Sequence, residues 1–117
     1  MLVRMEIDIE LYETSSGKCP FDVWVKEIRE IRTRAKILTR LDRLRLGNFG
    51  DCKAIEDGVS ELRIDYGPGI RIYYAKTGNK IILLLCGGDK GSQAKDINKA
   101  KEYLKDYHSR GKSNGKK

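Results

Sequence analysis

The chain has 117 residues, of which 39% are hydrophobic, so we predict one domain with its own core and with any active site on its surface. The 24 Lys and Arg residues outnumber the 17 Asp and Glu residues, which gives a net charge of +7, and the excess lies in residues 21–46 (+4) and 90–117 (+6). Clustered positive charge is typical of proteins that bind polyanions.

The N-terminal segment predicts a half-buried strand, because residues 3–13 alternate between apolar and polar side chains. Acidic residues interrupt this apolar stretch and no small-residue cleavage site follows it, which excludes a signal peptide or a membrane span there. We therefore expect a cytoplasmic location and no membrane partner. The apolar side of the strand consists of Val3, Met5, Ile7, Ile9 and Leu11.

From Phe21 the apolar period changes to three or four residues, which predicts one or two amphipathic helices that break near Thr33 and end at Gly47. The expected buried stripe is Ile28, Ile31, Ala35, Leu38, Leu41 and Leu44. The opposite face is basic and is either an ordinary solvated face or a surface for a polyanion or an acidic partner. Its residues are Arg29, Arg32, Lys36, Arg40 and Arg43.

Beyond the turn cluster "GNFGD", two alternating segments predict a β-hairpin around Gly67-Pro68-Gly69. A three-residue loop would pair Tyr66 with Ile70 and would place the apolar residues of both strands on one side. The other side then carries Arg63, Asp65, Arg71 and Tyr73.

A second turn at Gly78-Asn79 is expected to lead into the apolar run 81–86, which predicts a strand covered on both faces. The segment 92–107 returns to the helical period, with Ser92 as a possible N-cap. Lys90 lies just past the end of the predicted strand. We expect residues 109–117 to form a disordered basic tail.

The arginines raise the central functional question, because two guanidinium groups and Lys90 on one sheet face would suit a phosphodiester. The structural alternative is a cross-strand ion pair between Asp65 and Arg71. There is no P-loop sequence, and the single histidine, His108, excludes a histidine pair. Three widely spaced cysteines predict reduced thiols and no metal site.

The order of "GNFGD", "VSELR", "GPGIRIYY" and "LLCGGDKGSQAKDI" over about residues 20–106 resembles the RelE/ParE toxin superfamily, specifically its HigB-like addiction module killer branch. The resemblance implies an α+β fold with an N-terminal strand, a helical pair, an antiparallel sheet and a C-terminal helix, in one RelE-like domain over residues 1–108. RelE-like members cut messenger RNA, commonly on the ribosome, without a metal or other cofactor. ParE-like members poison gyrase instead.

Carried over to this chain, the resemblance implies catalytic roles for Arg71, Lys90 and Arg63. Secondary candidates for RNA binding are Tyr73, Gln93, Lys95, Arg40 and Arg43. The stretch "GSQAKDI" lacks the tyrosine or histidine that other members have near the C-terminus, which leaves the general base open. The resemblance further implies messenger RNA and the ribosome as targets, an antitoxin with a helix-turn-helix domain as partner, and no small-molecule substrate. A gyrase inhibitor and a non-catalytic basic binding module remain the alternatives.

Overall fold

The computed structural model describes residues 6–111, which form a five-stranded sheet with helices on both faces. In chain order the elements are β1 Asp8–Leu11, α1 Pro20–Glu27, α2 Ile31–Arg45, β2 Cys52–Glu56, β3 Val59–Ile64, β4 Ile70–Lys76, β5 Ile81–Asp89, a 3₁₀ turn Lys90–Ser92 and α3 Gln93–Ser109. The strand order is β1-β5-β4-β3-β2. The predicted α+β class is confirmed.

The sheet is antiparallel from β5 to β2, as predicted, but β1 pairs with β5 in parallel. The reason is topological, since two helices separate β1 from the remaining strands and let it join the far edge. Val3 and Met5 of the predicted strand lie outside the described residues. No helix within residues 6–111 is long and apolar enough to cross a membrane.

The helical pair is present, but its break lies at residues 28–30 rather than near Thr33. Thr33 lies in the first turn of α2, where its hydroxyl donates a hydrogen bond to the Glu30 carboxylate at 2.5 Å. Thr33 therefore marks the beginning of the second helix.

The buried side of α2 differs from the predicted stripe. Ile37, Leu41 and Leu44 face the sheet, whereas 73% of Ile31 and 57% of Leu38 are exposed. Ala35 is exposed as well. The helix contains two apolar sets at helical spacing, and spacing alone does not say which one meets the sheet.

The sheet has a core on each face. On the face of α1 and α2, the core includes Phe21, Ile37, Leu62, Ile64, Ile72, Tyr74 and Leu84. On the face of α3 it includes Tyr12, Tyr73, Leu83, Leu85, Ala100 and Leu104. β5 contributes side chains to both cores, as predicted for a strand that is covered on both faces.

The β3–β4 hairpin has a longer loop than predicted, because Ile64 pairs with Ile70 and Leu62 pairs with Ile72. Tyr66 belongs to the turn, where its carbonyl accepts a hydrogen bond from the Gly69 N–H. The register is displaced by two residues, and an even displacement keeps every side chain on its predicted face. The next turn also contains one residue more than predicted, since the Thr77 N–H already donates to the Ile81 carbonyl.

At the C-terminus, α3 runs to Ser109, which is the first residue of the predicted tail. Ser92 is the N-cap residue of α3, as predicted, but its side chain makes no capping hydrogen bond. The 3₁₀ turn before α3 is capped by Asp89, whose carboxylate accepts hydrogen bonds from the Gly91 and Ser92 N–H groups. Arg110 contacts the Asp106 carboxylate and the Glu13 carbonyl, which ties the end of α3 to the segment after β1. Residues 112–117 of the predicted tail lie outside the described part of the chain.

Candidate functional site

Arg63 and Arg71 are direct neighbours across the β3–β4 ladder. Their side chains and that of Lys90 open into one surface groove of about 540 Å³, which we call the arginine groove. It is lined by Asp51, Arg63, Asp65, Gly67, Pro68, Gly69, Arg71 and Lys90. The structure thus brings together the three basic residues for which the family resemblance implies catalytic roles.

The Gly-Pro-Gly loop brings Lys90 close to Arg71. The Lys90 N–H donates to the Gly69 carbonyl at 2.8 Å, which extends the β4–β5 pairing past the strand ends. Gly69 has φ +86, and a Cβ there would lie 3.3 Å from the Lys90 Cβ and 3.5 Å from Nη1 of Arg71. A glycine at this position therefore allows both the turn and the close approach of the two cations.

Arg63 is held by Asp51, not by a residue of its own hairpin. Its Nε and Nη2 donate to Oδ1 of Asp51 at 3.2 and 2.9 Å, and 57% of the Asp51 side chain is exposed. The predicted pair between Asp65 and Arg71 is absent among the described residues, since the longer loop carries Asp65 out of the ladder. An exposed pair such as Arg63–Asp51 is worth only about 0–1 kcal/mol, so an incoming phosphate can replace the carboxylate at little cost.

Arg71 lies above a buried acid, Glu61. Only 12% of the Arg71 side chain is exposed and none of Glu61, and Nε of Arg71 is 3.8 Å from Oε2 of Glu61. The same oxygen accepts hydrogen bonds from the Tyr73 hydroxyl (3.2 Å) and from Nε2 of Gln93 (2.6 Å). Burial, with the Glu61 charge second, raises the pKa of the Tyr73 hydroxyl, so it remains a donor.

Glu61 was missed by the sequence reasoning, although the signal was present. It alternates with Leu62 and lies two residues before Arg63, which puts it on the arginine side of the strand. Strand alternation predicts a face outside the core on that side, but α3 covers part of it. The buried carboxylate attracts Arg71 by charge and not through a hydrogen bond, since Nε of Arg71 has no hydrogen-bond partner among the described residues and Nη1 donates to the Ile70 carbonyl at 3.3 Å.

Two of the predicted RNA-binding residues, Tyr73 and Gln93, donate hydrogen bonds to Glu61 instead. Tyr73 is fully buried, so a direct contact with RNA is not available to it in this structure. Gln93 is half-buried and uses its amide N–H to join α3 to β3. Both residues therefore hold the Glu61 carboxylate in its place beneath Arg71.

Arg40 was predicted on the solvated basic face of α2, but it points toward the sheet. Its guanidinium donates to the carbonyls of Arg63 (2.6 Å) and Phe49 (3.0 Å), and burial lowers its pKa. This side chain holds the "GNFGD" loop, and with it Asp51, against β3. A charged donor with several carbonyl partners is a structural anchor.

Arg43 and Lys95 remain exposed, but they lie on different sides of the arginine groove. Arg43 lines a shallow groove with Lys36 and Asp65 next to α2. Lys95 lines a larger groove of about 680 Å³ between α1 and α3. The groove of Arg43 shares Asp65 with the arginine groove, and the groove of Lys95 shares Pro68 with it.

The "CGGDKGS" stretch is a packing feature at the start of α3. A Cβ on Gly87 would lie 2.3 Å from the Trp24 ring, and a Cβ on Gly88 would lie 1.9 Å from Oδ2 of Asp96. Asp96 is buried and accepts a hydrogen bond from the Ser92 hydroxyl. The two glycines let α1 and α3 approach β5 from opposite faces, which positions Gln93. No group of three or more His, Cys, Asp or Glu residues within 6–111 is arranged to hold a metal ion.

Comparison with known proteins gives two matches. A family model described as "Phage derived protein Gp49-like (DUF891)" matches residues 24–105. An "Uncharacterized protein" of Haemophilus influenzae is 49% identical over 81 residues, which cover 69% of this chain and 82% of that protein. The span of the family match includes every residue of the arginine groove.

Proposed function

Since the chain belongs to the Gp49-like family of phage-derived proteins, a toxin-like family associated with toxin–antitoxin pairs, we propose that it is a HigB-like toxin that cleaves messenger RNA on the ribosome. The observation that carries the proposal is the convergence of Arg63, Arg71 and Lys90 on one open groove. Three cationic donors in one groove match the charge and the oxygen geometry of a phosphodiester.

The proposed reaction is attack by a ribose 2′-oxygen on the adjacent phosphorus. The O2′–P bond forms and the P–O5′ bond breaks, which leaves a 2′,3′-cyclic phosphate and a 5′-hydroxyl. The reaction needs a base for the 2′-hydroxyl proton, donors for the negative charge that develops on the phosphoryl oxygens, and an acid for the leaving oxygen.

Arg71 and Arg63 are assigned to the phosphoryl oxygens. The charge of the buried Glu61 attracts Arg71 to the groove before the substrate arrives, which reduces the reorganisation needed as charge develops. Arg63 is held in place by Asp51 until a phosphate replaces that carboxylate.

Asp65 and Lys90 are assigned to proton transfer. Both line the groove, and within residues 6–111 the Asp65 carboxylate and the Lys90 ammonium make no hydrogen bond or ion pair. Asp65 takes the 2′-hydroxyl proton and Lys90 donates a proton to the 5′-oxygen. This assignment supplies a base although the stretch "GSQAKDI" contains no tyrosine or histidine. Arg43 extends the RNA-binding surface beyond Asp65.

A toxin-like family implies an antitoxin partner, and we propose that it carries a helix-turn-helix domain. The proposed site of action is the cytoplasm, where messenger RNA and ribosomes meet. The chemistry assigned above uses side chains alone, without a cofactor or a small-molecule substrate.

Inducible expression followed by mapping of RNA ends tests the proposal. We expect growth arrest and new 5′-hydroxyl ends at codon-related positions in translated transcripts, with no cuts in a matched transcript that lacks a ribosome-binding site. The control is Arg32→Ala, which should retain cleavage because Arg32 is an exposed arginine outside the groove. Intact transcripts together with gyrase-linked DNA breaks would identify a gyrase inhibitor, and normal growth with soluble protein would identify a binding module.

A further inference from the structure

The outer face of α2 carries an apolar stripe that the fold leaves uncovered. It consists of Ile31, Ala35 and Leu38, which we call the α2 stripe; Leu46, at the C-terminal end of the helix, is also exposed but is separated from the stripe by Asp42. Exposure is 73% for Ile31, 57% for Leu38 and 55% for Leu46. Large aliphatic side chains that are aligned and exposed on one helix face mark an interaction surface.

Basic side chains border this stripe on both sides. By helical spacing, Arg34 and Arg45 lie along one edge, and Arg32, Lys36 and Arg43 lie along the other. The helix contains one acidic residue, Asp42, and Arg45 already binds its carboxylate at 2.8 Å. The surface therefore combines an apolar seam with an excess of positive charge.

We propose that the α2 stripe docks an amphipathic helix with an apolar seam and acidic edges from a protein partner. The proposal rests on the proposed function in that this partner is the antitoxin. The stripe has the four-then-three residue spacing of a coiled-coil seam, from Ile31 to Ala35 to Leu38. The next two positions at this spacing are the charged Asp42 and Arg45, so the apolar seam runs from Ile31 to Leu38 for about 10 Å, which can accommodate about two turns of a partner helix.

The positive charge and the apolar side chains of the α2 face together favour an acidic amphipathic helix as its partner. An RNA backbone would satisfy the arginines but would leave Ile31 and Leu38 without apolar contacts, whereas a helix with acidic edges satisfies both. A second copy of this chain would bring identical basic edges together in a two-fold interface, where like charges repel. The acidic amphipathic helix covers Ile31 and Leu38 and pairs with the basic edges at the same time.

A designed peptide tests the proposal with the full-length protein. The probe is a fluorescein-labelled 18-residue helix with leucines spaced four and three apart and glutamates on both edges, and a matched peptide carries lysine at every glutamate position. Fluorescence anisotropy at physiological salt measures binding. We expect the acidic peptide to bind at least about tenfold more tightly than the lysine peptide.

Substitutions on the face supply the decisive comparison. Leu38→Asp and Ile31→Asp should each weaken binding of the acidic peptide about tenfold or more, with unchanged melting temperatures. Leu11→Asp is the matched control, because Leu11 is an exposed leucine (42%) on β1, away from α2, and the change should leave binding intact. Arg32→Glu and Arg34→Glu should weaken the acidic peptide and strengthen the lysine peptide.

Three outcomes would overturn the proposal. These are unchanged binding in Leu38→Asp, equal binding of both peptides, and a wild-type dimer that Leu38→Asp converts to monomers in sedimentation. Peptide binding is measured without RNA cleavage. Retained binding in a protein that does not cut RNA would therefore refute the proposed function alone.

Discussion

Replacing Arg71 with alanine should cause two losses, one of stability and one of activity. The stability loss follows from Glu61, which is fully buried and whose carboxylate lies 3.8 Å from Nε of Arg71. Removing one partner of a buried pair costs about 3–5 kcal/mol, because the other charge stays buried without compensation. The separation is long, and Tyr73 and Gln93 still donate to the carboxylate, so we expect the lower end, about 3 kcal/mol. At about 4 °C per kcal/mol for a chain of this size, the melting temperature should fall by about 12 °C.

This expectation differs from the one that the sequence supports. An exposed pair between Asp65 and Arg71 would be worth only about 0–1 kcal/mol, so Arg71→Ala would leave the fold nearly intact. The buried Glu61 changes that conclusion. A loss of toxicity in Arg71→Ala is then ambiguous by itself, and a second substitution is needed to separate fold from chemistry.

Glu61→Gln provides that separation, since a glutamine has the same shape and its carbonyl oxygen still accepts hydrogen bonds from Tyr73 and Gln93. The double variant Arg71→Ala/Glu61→Gln should recover most of the melting temperature but should remain at least about 10²-fold less active, because a donor to the transition state is missing. Arg71→Lys should melt near the wild type and lose activity, because lysine keeps the charge without the two-pronged contact.

Thermal melting and RNA-end mapping are carried out on each variant. The stabilities of the wild type, the two single variants and the double variant form a double-mutant cycle, which gives the coupling energy between Arg71 and Glu61. If Arg71→Ala melts within about 2 °C of the wild type, the buried-pair reasoning is refuted. If the double variant regains cleavage together with stability, Arg71 is a structural residue and the proposed catalytic role is wrong.

Other consequences of the structure can be checked separately. Arg63→Ala should reduce cleavage about 10²-fold while changing stability by only about 0–1 kcal/mol, since its ion pair is exposed, and RNA-end mapping beside melting distinguishes these effects. Gly88→Ala should lower the melting temperature markedly, because its Cβ would lie 1.9 Å from the Asp96 carboxylate; a melting curve like that of the wild type would mean that α3 can move away. Burial, with the Asp96 charge second, raises the pKa of the Cys86 thiol to about 12, so in a thiol titration at pH 8 it should react only after unfolding. The hydrogen bond from the Tyr12 hydroxyl holds the pKa of the Asp106 carboxyl below its ordinary value. The contribution of Asp106 to stability is therefore present above the pKa of the unfolded state and is lost as the pH falls through the pKa of the folded state. Asp106→Asn should flatten the fall in melting temperature on acidification, and an unchanged pH profile would contradict this.

Local patterns in the sequence were sufficient to predict most of the elements. Alternation in β3 and β4 placed Leu62 and Ile72 on one face and Arg63 and Arg71 on the other, and that assignment survived a loop two residues longer than expected. The reason is that the side-chain period of a strand is two, so an even change in register does not exchange the faces. The apolar run of β5 likewise predicted a strand that is covered on both sides.

The long-range packing of helices against the sheet decided the rest. Whether α2 buries the set of Ile37 or the set of Ile31 depends on how the helix rotates onto the sheet, and both sets have helical spacing. Arg40 became an anchor because that rotation turned it toward the carbonyls of the "GNFGD" loop. The parallel pairing of β1 also depends on contacts between distant parts of the chain.

The candidate site likewise depends partly on local sequence patterns and partly on long-range packing. The sequence by itself determined that Arg63 and Arg71 share a strand face and that Lys90 follows the last strand, because strand period and chain order are local properties. Only the tertiary structure decided that α3 covers one side of that face, so that Glu61 and Tyr73 are buried while Arg71 stays at the edge of the groove. The burial of a residue depends on the element that packs over it, which can be distant in the chain. Glu61 is covered by α3, and its hydrogen bond with Gln93 of that helix spans 32 positions.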